Sequence, residues 1–428
     1  MRNAITITPD DPAAFKLKLL DWAQQFREVV FLDSNDYPQK YSSFDWILAV
    51  DALTSIKTDY SNAFDKLAEY QQHTRDWLFG YLSYDLKNDV EDLFSANHDG
   101  LEFPELFFFQ PKKIFICKKS EIALHYLLMC DDEFDQDQRE INSITKAPVD
   151  VHPSNIKQRI SKGEYLEKAG CMLSRIARGD IYEANFCMEF FAENAIIDPV
   201  QTYQKLNAIS LPPFAAFLKL QDKFLLSASP ERFIRKEGTK VISQPIKGTA
   251  KRSSDPEDDE MQKLQLQQNE KERSENIMIV DLVRNDLSRT AEKASVAVEE
   301  LCGAYTFRQV HHLISTVVSQ SQKTPVEIIR NAFPMGSMTG APKISAMQII
   351  EELEETRRGI YSGAVGYFTP EGDFDFNVVI RSICYNAANR YVSFSVGSAI
   401  TAQSTPESEY EECLLKAAAM QSVLSALE

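Results

Sequence analysis

A lysine set between a proline and a glycine, in the run Pro245-Ile246-Lys247-Gly248-Thr249, stands out as a group placed for chemistry. The stretch before it, Lys240 to Gln244, alternates weakly and reads as a strand that delivers Lys247 to a turn which Gly248 can make tight. An amine held so is a candidate nucleophile. The ordinary alternative is a solvated loop lysine, and three further polar clusters in the same half of the chain weigh against it.

The first cluster, Ser229-Pro230-Glu231-Arg232-Phe233, puts a carboxyl just past the apolar strand Phe224-Leu225-Leu226. Burial there would raise its pKa and suit it to protonate a leaving hydroxyl; an ion pair with Arg232 at the surface is the competing reading. The second is a pair of acidic doublets. Glu272 and Glu275 share one face of a long helical stretch expected from about residue 256 to 289, and Glu409 and Glu412 repeat the spacing in a helix started by Thr405-Pro406. Carboxylates side by side repel unless a proton or cation joins them, and Mg²⁺ is one solution, exposed helix faces the other. The third is a glycine-rich segment. Only 15 glycines occur, yet six lie within residues 336–372, and Phe333 to Lys343 ends at a helix start where backbone amides, Ser337, Thr339 and Lys343 would make an anion site. The P-loop pattern is absent. Beyond it, Tyr361 to Tyr367 and Val378 to Ser382 read as paired strands, with Arg381 costly in the second unless it meets a carboxylate. Of His311 and His312, the alternation expects one inward and one outward.

These groups need a scaffold. In the first part, short apolar runs at residues 29–32, 46–50, 106–109, 114–117 and 122–127 read as strands, with a helix over residues 60–72. A polar, acidic stretch from Cys130 to about Lys157 with Pro148 and Pro153 marks a boundary, dividing the chain into residues 1–150 and 155–428. After it, Glu164 to Arg178 is amphipathic, and Gly179 is placed to stop that helix.

Composition bounds the function. With 428 residues, 44% hydrophobic and 25% charged, the chain is globular in character, and a net charge of −17 argues against nucleic acid or an anionic membrane as partner. No secretory leader or spanning segment is legible, so a cytoplasmic location is expected. The seven cysteines form no C-x-x-C pair, which disfavours a zinc ribbon or disulfide framework.

In order and type, Ser229 to Phe233, Pro245 to Thr249, Glu272 to Arg289, His312-Leu313, Gly336 to Lys343, Tyr361 to Tyr367, Arg381-Ser382 and Glu409 to Glu412 resemble the chorismate-utilising enzymes over roughly residues 160–420. The resemblance implies an α+β fold, a large antiparallel two-sheet sandwich flanked by helices, to which the N-terminal region adds strands. It implies Glu231 as general acid; Glu275 and Glu412 as Mg²⁺ ligands supported by Glu272 and Glu409; and Arg381, Tyr361, Ser337, Thr249, His312, Lys343 and Gly397 around the substrate. Members forming anthranilate carry alanine where this chain has Lys247, whereas members adding nitrogen at C4 carry lysine. The expectation is therefore 4-amino-4-deoxychorismate, made through a lysine adduct at C2, which asks for a depressed lysine pKa. No cysteine has the G-x-C-x-G context of a glutaminase, so ammonia is expected from a separate glutamine amidotransferase, and the chain stops short of an appended lyase domain. Two departures matter. Val396-Gly397-Ser398-Ala399-Ile400 has small residues where the family has glycines, and Phe31-Leu32-Asp33-Ser34 only loosely matches a segment lining a tryptophan pocket. Anthranilate or isochorismate formation is the nearer alternative reading and a non-catalytic scaffold the more distant one.

Overall fold

Two strands of thirteen residues, Trp46–Thr58 and Leu106–Lys118, run antiparallel along each other and set the frame. The computed structural model describes residues 1–145 and 155–425. The expected boundary at Pro148 and Pro153 lies outside the described residues. Residues 106–109 and 114–117, expected as separate strands, are one strand through Pro111. The proline sits opposite Ala52, where the register shifts, so its missing N–H falls at a bulge and costs little.

Among the described residues the strands hydrogen-bond in one connected twenty-stranded antiparallel sheet. Strands from early and late chain join in it at two seams: Glu28–Asp33 pairs with Phe214–Leu220, and Leu78–Leu82 with Ala364–Phe368. The sheet is layered like the expected sandwich. Val30, Ile47, Leu218 and Leu225 share a buried cluster with Phe79, Tyr81, Val365 and Tyr367, sheet face against sheet face. Two further clusters lie under helices. One packs Pro12–Trp22, Lys162–Arg178, Pro199–Ser210 and Pro406–Ser425 against the sheet, and the other packs Ala63–Thr74, Glu270–Ser288 and Pro325–Ala332.

Local sequence accounts for the helix that opens the second part. Ser161 and Glu164 form a reciprocal capping box at its start, and Gly179, at φ 84°, ends it. The stretch expected as one helix over residues 256–289 is two, Pro256–Gln268 and Glu270–Ser288. Asn269 leaves the helical region with ψ 115°, and its side chain caps the second helix by accepting from the Glu272 N–H. That break aims the acidic doublet. No described helix is long and apolar enough to cross a membrane.

Candidate functional site

A cavity of about 470 Å³ opens where the Glu270–Ser288 and Pro406–Ser425 helices meet the strands Ile246–Lys251, Val310–Gln320 and Tyr391–Thr401. Lys247, Glu231, Thr249, Glu272, Glu275, His312, Ser337, Tyr361, Arg381, Gly397, Glu409 and Glu412 all line it. These positions span residues 231–412, so tertiary packing alone brings them together.

Lys247 sits where the turn was expected. Gly248 takes φ 99°, a conformation that costs a side chain dearly, and Asn276 donates its amide to the Lys247 and Leu313 carbonyls. The ammonium donates to Glu183 Oε1 at 2.9 Å. Burial is the largest single influence and opposes its charge, but Glu183, Glu275 and Glu412 together outweigh burial and hold the lysine pKa above its ordinary value. The expected depression is thus reversed: the resting site surrounds the amine with carboxylates.

Glu231 is buried at the turn after the Lys223–Ser229 strand and accepts a hydrogen bond from Ser337 Oγ at 2.7 Å. Burial pushes its carboxyl up to about 7, against the opposing pull of Ser337, the Ile246 backbone and Lys247. Arg232 leaves it alone and forks onto Asp375 at 2.9 and 3.0 Å.

Arg381 does not lie within a strand. The expected Val378 to Ser382 strand is interrupted: Phe374–Val378 ends and Ser382–Asn386 begins, with Arg381 between them at φ 53°. Its side chain lines the cavity, and among the described residues no hydrogen bond or ion pair holds the guanidinium. A half-buried cation with no partner among the described residues is a binding group for an anion. Tyr361 precedes its strand, Ala364–Phe368, and reaches the cavity from the turn.

Both histidines are buried, against the expectation of one outside. His311 bridges Asp259 and Thr306, at 3.0 and 3.1 Å, away from the cavity. His312 sets Nδ1 between Thr249 Oγ1 and the Gly248 carbonyl, at 3.0 and 3.2 Å, and burial with Arg381 nearby pulls its pKa down to about 3. It is neutral.

Lys343 is outside. Its ammonium donates to Asp286 at 2.7 Å and to the Pro334 carbonyl at 2.8 Å, which ties the glycine-rich segment to the Glu270–Ser288 helix. Pro342 caps the Lys343–Leu353 helix, and of the expected anion site Ser337 and its neighbour Met338 line the cavity, while Thr339 and Lys343 do not. Residues 397–399 pair regularly with Cys187, Phe186 and Asn185, and none has positive φ, so serine and alanine carry no backbone penalty there.

The acidic doublets face each other across the cavity. Burial raises the Glu275 carboxyl to about 7 and that of Glu272 in the same direction, while Lys416, 2.6 Å from Glu412, outweighs burial and lowers Glu412. Among the described residues no three His, Cys, Asp or Glu side chains close on one point as a ready cage. Glu275 Oε1 is nevertheless buried without a hydrogen-bond partner, its nearest cation being Lys271 at an ion-pair distance of 3.8 Å, and it shares the cavity with Glu272 and Glu412. That donor set fits a hard cation that takes its remaining oxygens from water and substrate.

Sequence reading missed Glu183, Asn185 and Lys416. Glu183 opens a wholly buried ten-residue strand, Glu183–Ala192, and a carboxylate leading an apolar run was the available signal. Beside Leu32, Asp33 and Ser34 the space is only about 50 Å³, with Phe44, Phe214 and Arg232 on its walls. A larger cavity of about 360 Å³ adjoins it and shares Gln39, Pro213, Phe214 and Arg232.

The sequence profile described as chorismate binding enzyme matches residues 27–422. A rice (Oryza sativa subsp. japonica) protein named probable aminodeoxychorismate synthase, chloroplastic, is 40% identical over 287 residues, 65% of this chain and 32% of its own; the chain spans about a third of that relative's length. An anthranilate synthase component I-like protein of Synechocystis is 35% identical over 359 residues, 82% of this chain and 73% of its own. In structure, anthranilate synthase component I from Streptococcus pneumoniae superposes with a TM-score of 0.76 at 26% identity, over 90% of this chain and 94% of that one.

Proposed function

Since the chain belongs to the chorismate binding enzyme family, we propose that it converts chorismate and ammonia to 4-amino-4-deoxychorismate through a covalent adduct on Lys247. The observation that carries this reading is a lysine amine and a buried, proton-holding carboxyl, Glu231, on one cavity of about 470 Å³ that also holds a guanidinium with no partner among the described residues.

Chorismate is a dianion, and this cavity is rich in carboxylates. Arg381 takes one substrate carboxylate, with Tyr361, Ser337, Thr249, neutral His312 and the Gly397 backbone as nearby polar groups. Glu275 and Glu412, with Glu272 and Glu409 beside them, would hold Mg²⁺, whose charge supplies an anchor for an anion among acidic side chains. Glu231, protonated below about pH 7, gives its proton to the departing C4 hydroxyl. Lys247 bonds to C2 as that hydroxyl leaves, and ammonia then adds at C4 and releases the lysine. The product serves the 4-aminobenzoate branch of folate synthesis. A glutamine amidotransferase supplies the ammonia.

A second reading, anthranilate formation, has one observation in its favour: the Synechocystis relative matches more of both chains than the rice one does. The Lys247 residue type argues for amination at C4. The deciding experiment incubates the chain with chorismate, Mg²⁺ and ammonium and identifies the product by chromatography and mass, beside Lys247→Ala. Aminodeoxychorismate from the parent and its loss in the variant are expected. Anthranilate or isochorismate as product overturns the role of Lys247, and no turnover even with amidotransferases added overturns the enzymatic reading.

A further inference from the structure

We infer that Glu183 is the acid–base partner of Lys247, taking the ammonium proton as the lysine attacks and returning it as the lysine leaves; the inference rests on the adduct chemistry proposed above. Among the described residues the one hydrogen bond to the Lys247 ammonium is to Glu183 Oε1, at 2.9 Å. The Glu183 side chain is 2% exposed and that of Lys247 14%, so bulk water has little access to the proton between them. Oε2 of Glu183 is buried without any partner. An acceptor with an unused oxygen beside a buried ammonium is arranged for proton exchange rather than for a saturated structural pair.

Both backbones are fixed. Glu183 pairs with Ala341 on one side and Thr401 on the other, and the Lys247 carbonyl is held by Asn276. The charges around the pair come from every wall: Glu272 and Glu275 on one helix, Glu412 and Lys416 on another, Glu231 at its turn, Arg381 at the strand break and neutral His312. Arrival of a dianion adds to the carboxylates and creates demand for the cation, so the proton must leave Lys247 locally and late.

The steps balance. Glu183 carboxylate accepts a proton from the lysine ammonium; the amine lone pair bonds to C2; the C1–C2 and C5–C6 double-bond pairs shift to C1–C6 and C4–C5. The C4 oxygen leaves as water with the proton of Glu231. Ammonia then bonds to C4, the double bonds shift back, the C2–N bond breaks toward nitrogen, and the freed amine regains its proton from Glu183. The ammonium formed at C4 gives a proton to Glu231, and the sum is chorismate plus ammonia to aminated product plus water.

The test mixes the full chain with chorismate and Mg²⁺ but no ammonia, quenches on a time course, and follows by mass the adduct of chorismate less water on the Lys247 peptide. Parent, Glu183→Gln and Glu183→Asp are compared between about pH 6 and 9, with chorismate binding measured for each. Expected are retained binding and adduct formation slowed about 100-fold or more at neutral pH by Glu183→Gln. The variant's rate should climb about tenfold per pH unit as solvent takes over the proton, while Glu183→Asp recovers part of the parent rate. Parent-like rate and pH profile in Glu183→Gln overturn the inference and leave the proposed function standing. A parent that binds chorismate yet forms no adduct overturns the function itself, and the inference with it.

Discussion

Burial raises the Glu231 carboxyl from 4.5 to about 7, and the sign of the consequence for stability follows directly. Between those values the folded chain binds a proton that the unfolded chain has released. Stability therefore falls as pH rises through that window and stays lower above it. Glu231→Gln removes the effect and should stabilise the protein at pH 8 by on the order of 1–3 kcal/mol, with little change at pH 5, while turnover drops about 100-fold or more. Thermal unfolding at both pH values, beside product formation, checks this; equal shifts at the two pH values would show that the carboxyl titrates normally. Glu275, also raised to about 7, bends the parent curve the same way. Arg381 differs, because no hydrogen bond or ion pair from the described residues holds its guanidinium. Arg381→Ala should leave the melting temperature unchanged or higher, yet weaken chorismate binding about 10- to 100-fold, the worth of a charged hydrogen bond. A large loss of stability with binding intact would make the guanidinium structural.

The strand Ile246–Lys251 and the helix Glu270–Ser288 position the nucleophile as a unit, joined by Asn276 and closed by Gly248. A Cβ at Gly248 would lie 3.1 Å from both Glu272 Oε2 and a Leu313 methyl, on a backbone at φ 99°. Gly248→Ala should cost about 1–3 kcal/mol from backbone strain alone and displace Lys247 from Glu183. Denaturant midpoint and the rate of adduct formation read the two effects separately. The helix start at Asn269 belongs to the same unit: asparagine is a good cap, yet without proline or glycine nearby the run from Pro256 reads as continuous.

Early strands join late ones at two seams in the sheet, so residues 155–428 by themselves would bare two edges, at Phe214–Leu220 and Ala364–Phe368. That fragment is expected to aggregate on expression, whereas the full chain should melt in one transition. A soluble fragment with a cooperative melt of its own would show that the two parts are independent domains. The −17 net charge acts on the whole molecule too, opposing a dianionic ligand, which the cations lining the cavity, Arg381, Lys247, Lys251, Lys271 and Lys416, counter locally.

Sequence by itself determined the local devices: the turn around Lys247, the capping box and terminating glycine of Lys162–Arg178, the acidic doublets, and the motif order that marks the family. Each depends on neighbours within a few residues, where propensity and spacing act. Tertiary structure alone decided the rest. It joined Leu106–Lys118 into one strand, because the bulge opposite Pro111 lies on another strand, and broke the backbone at Arg381. Lys343 went to Asp286, 57 residues away, and Glu183 to Lys247, 64 away. The ionisation of Lys247 could not be legible, since it is the balance between burial and three carboxylates from distant elements, and that balance exists only once the chain has folded around the amine.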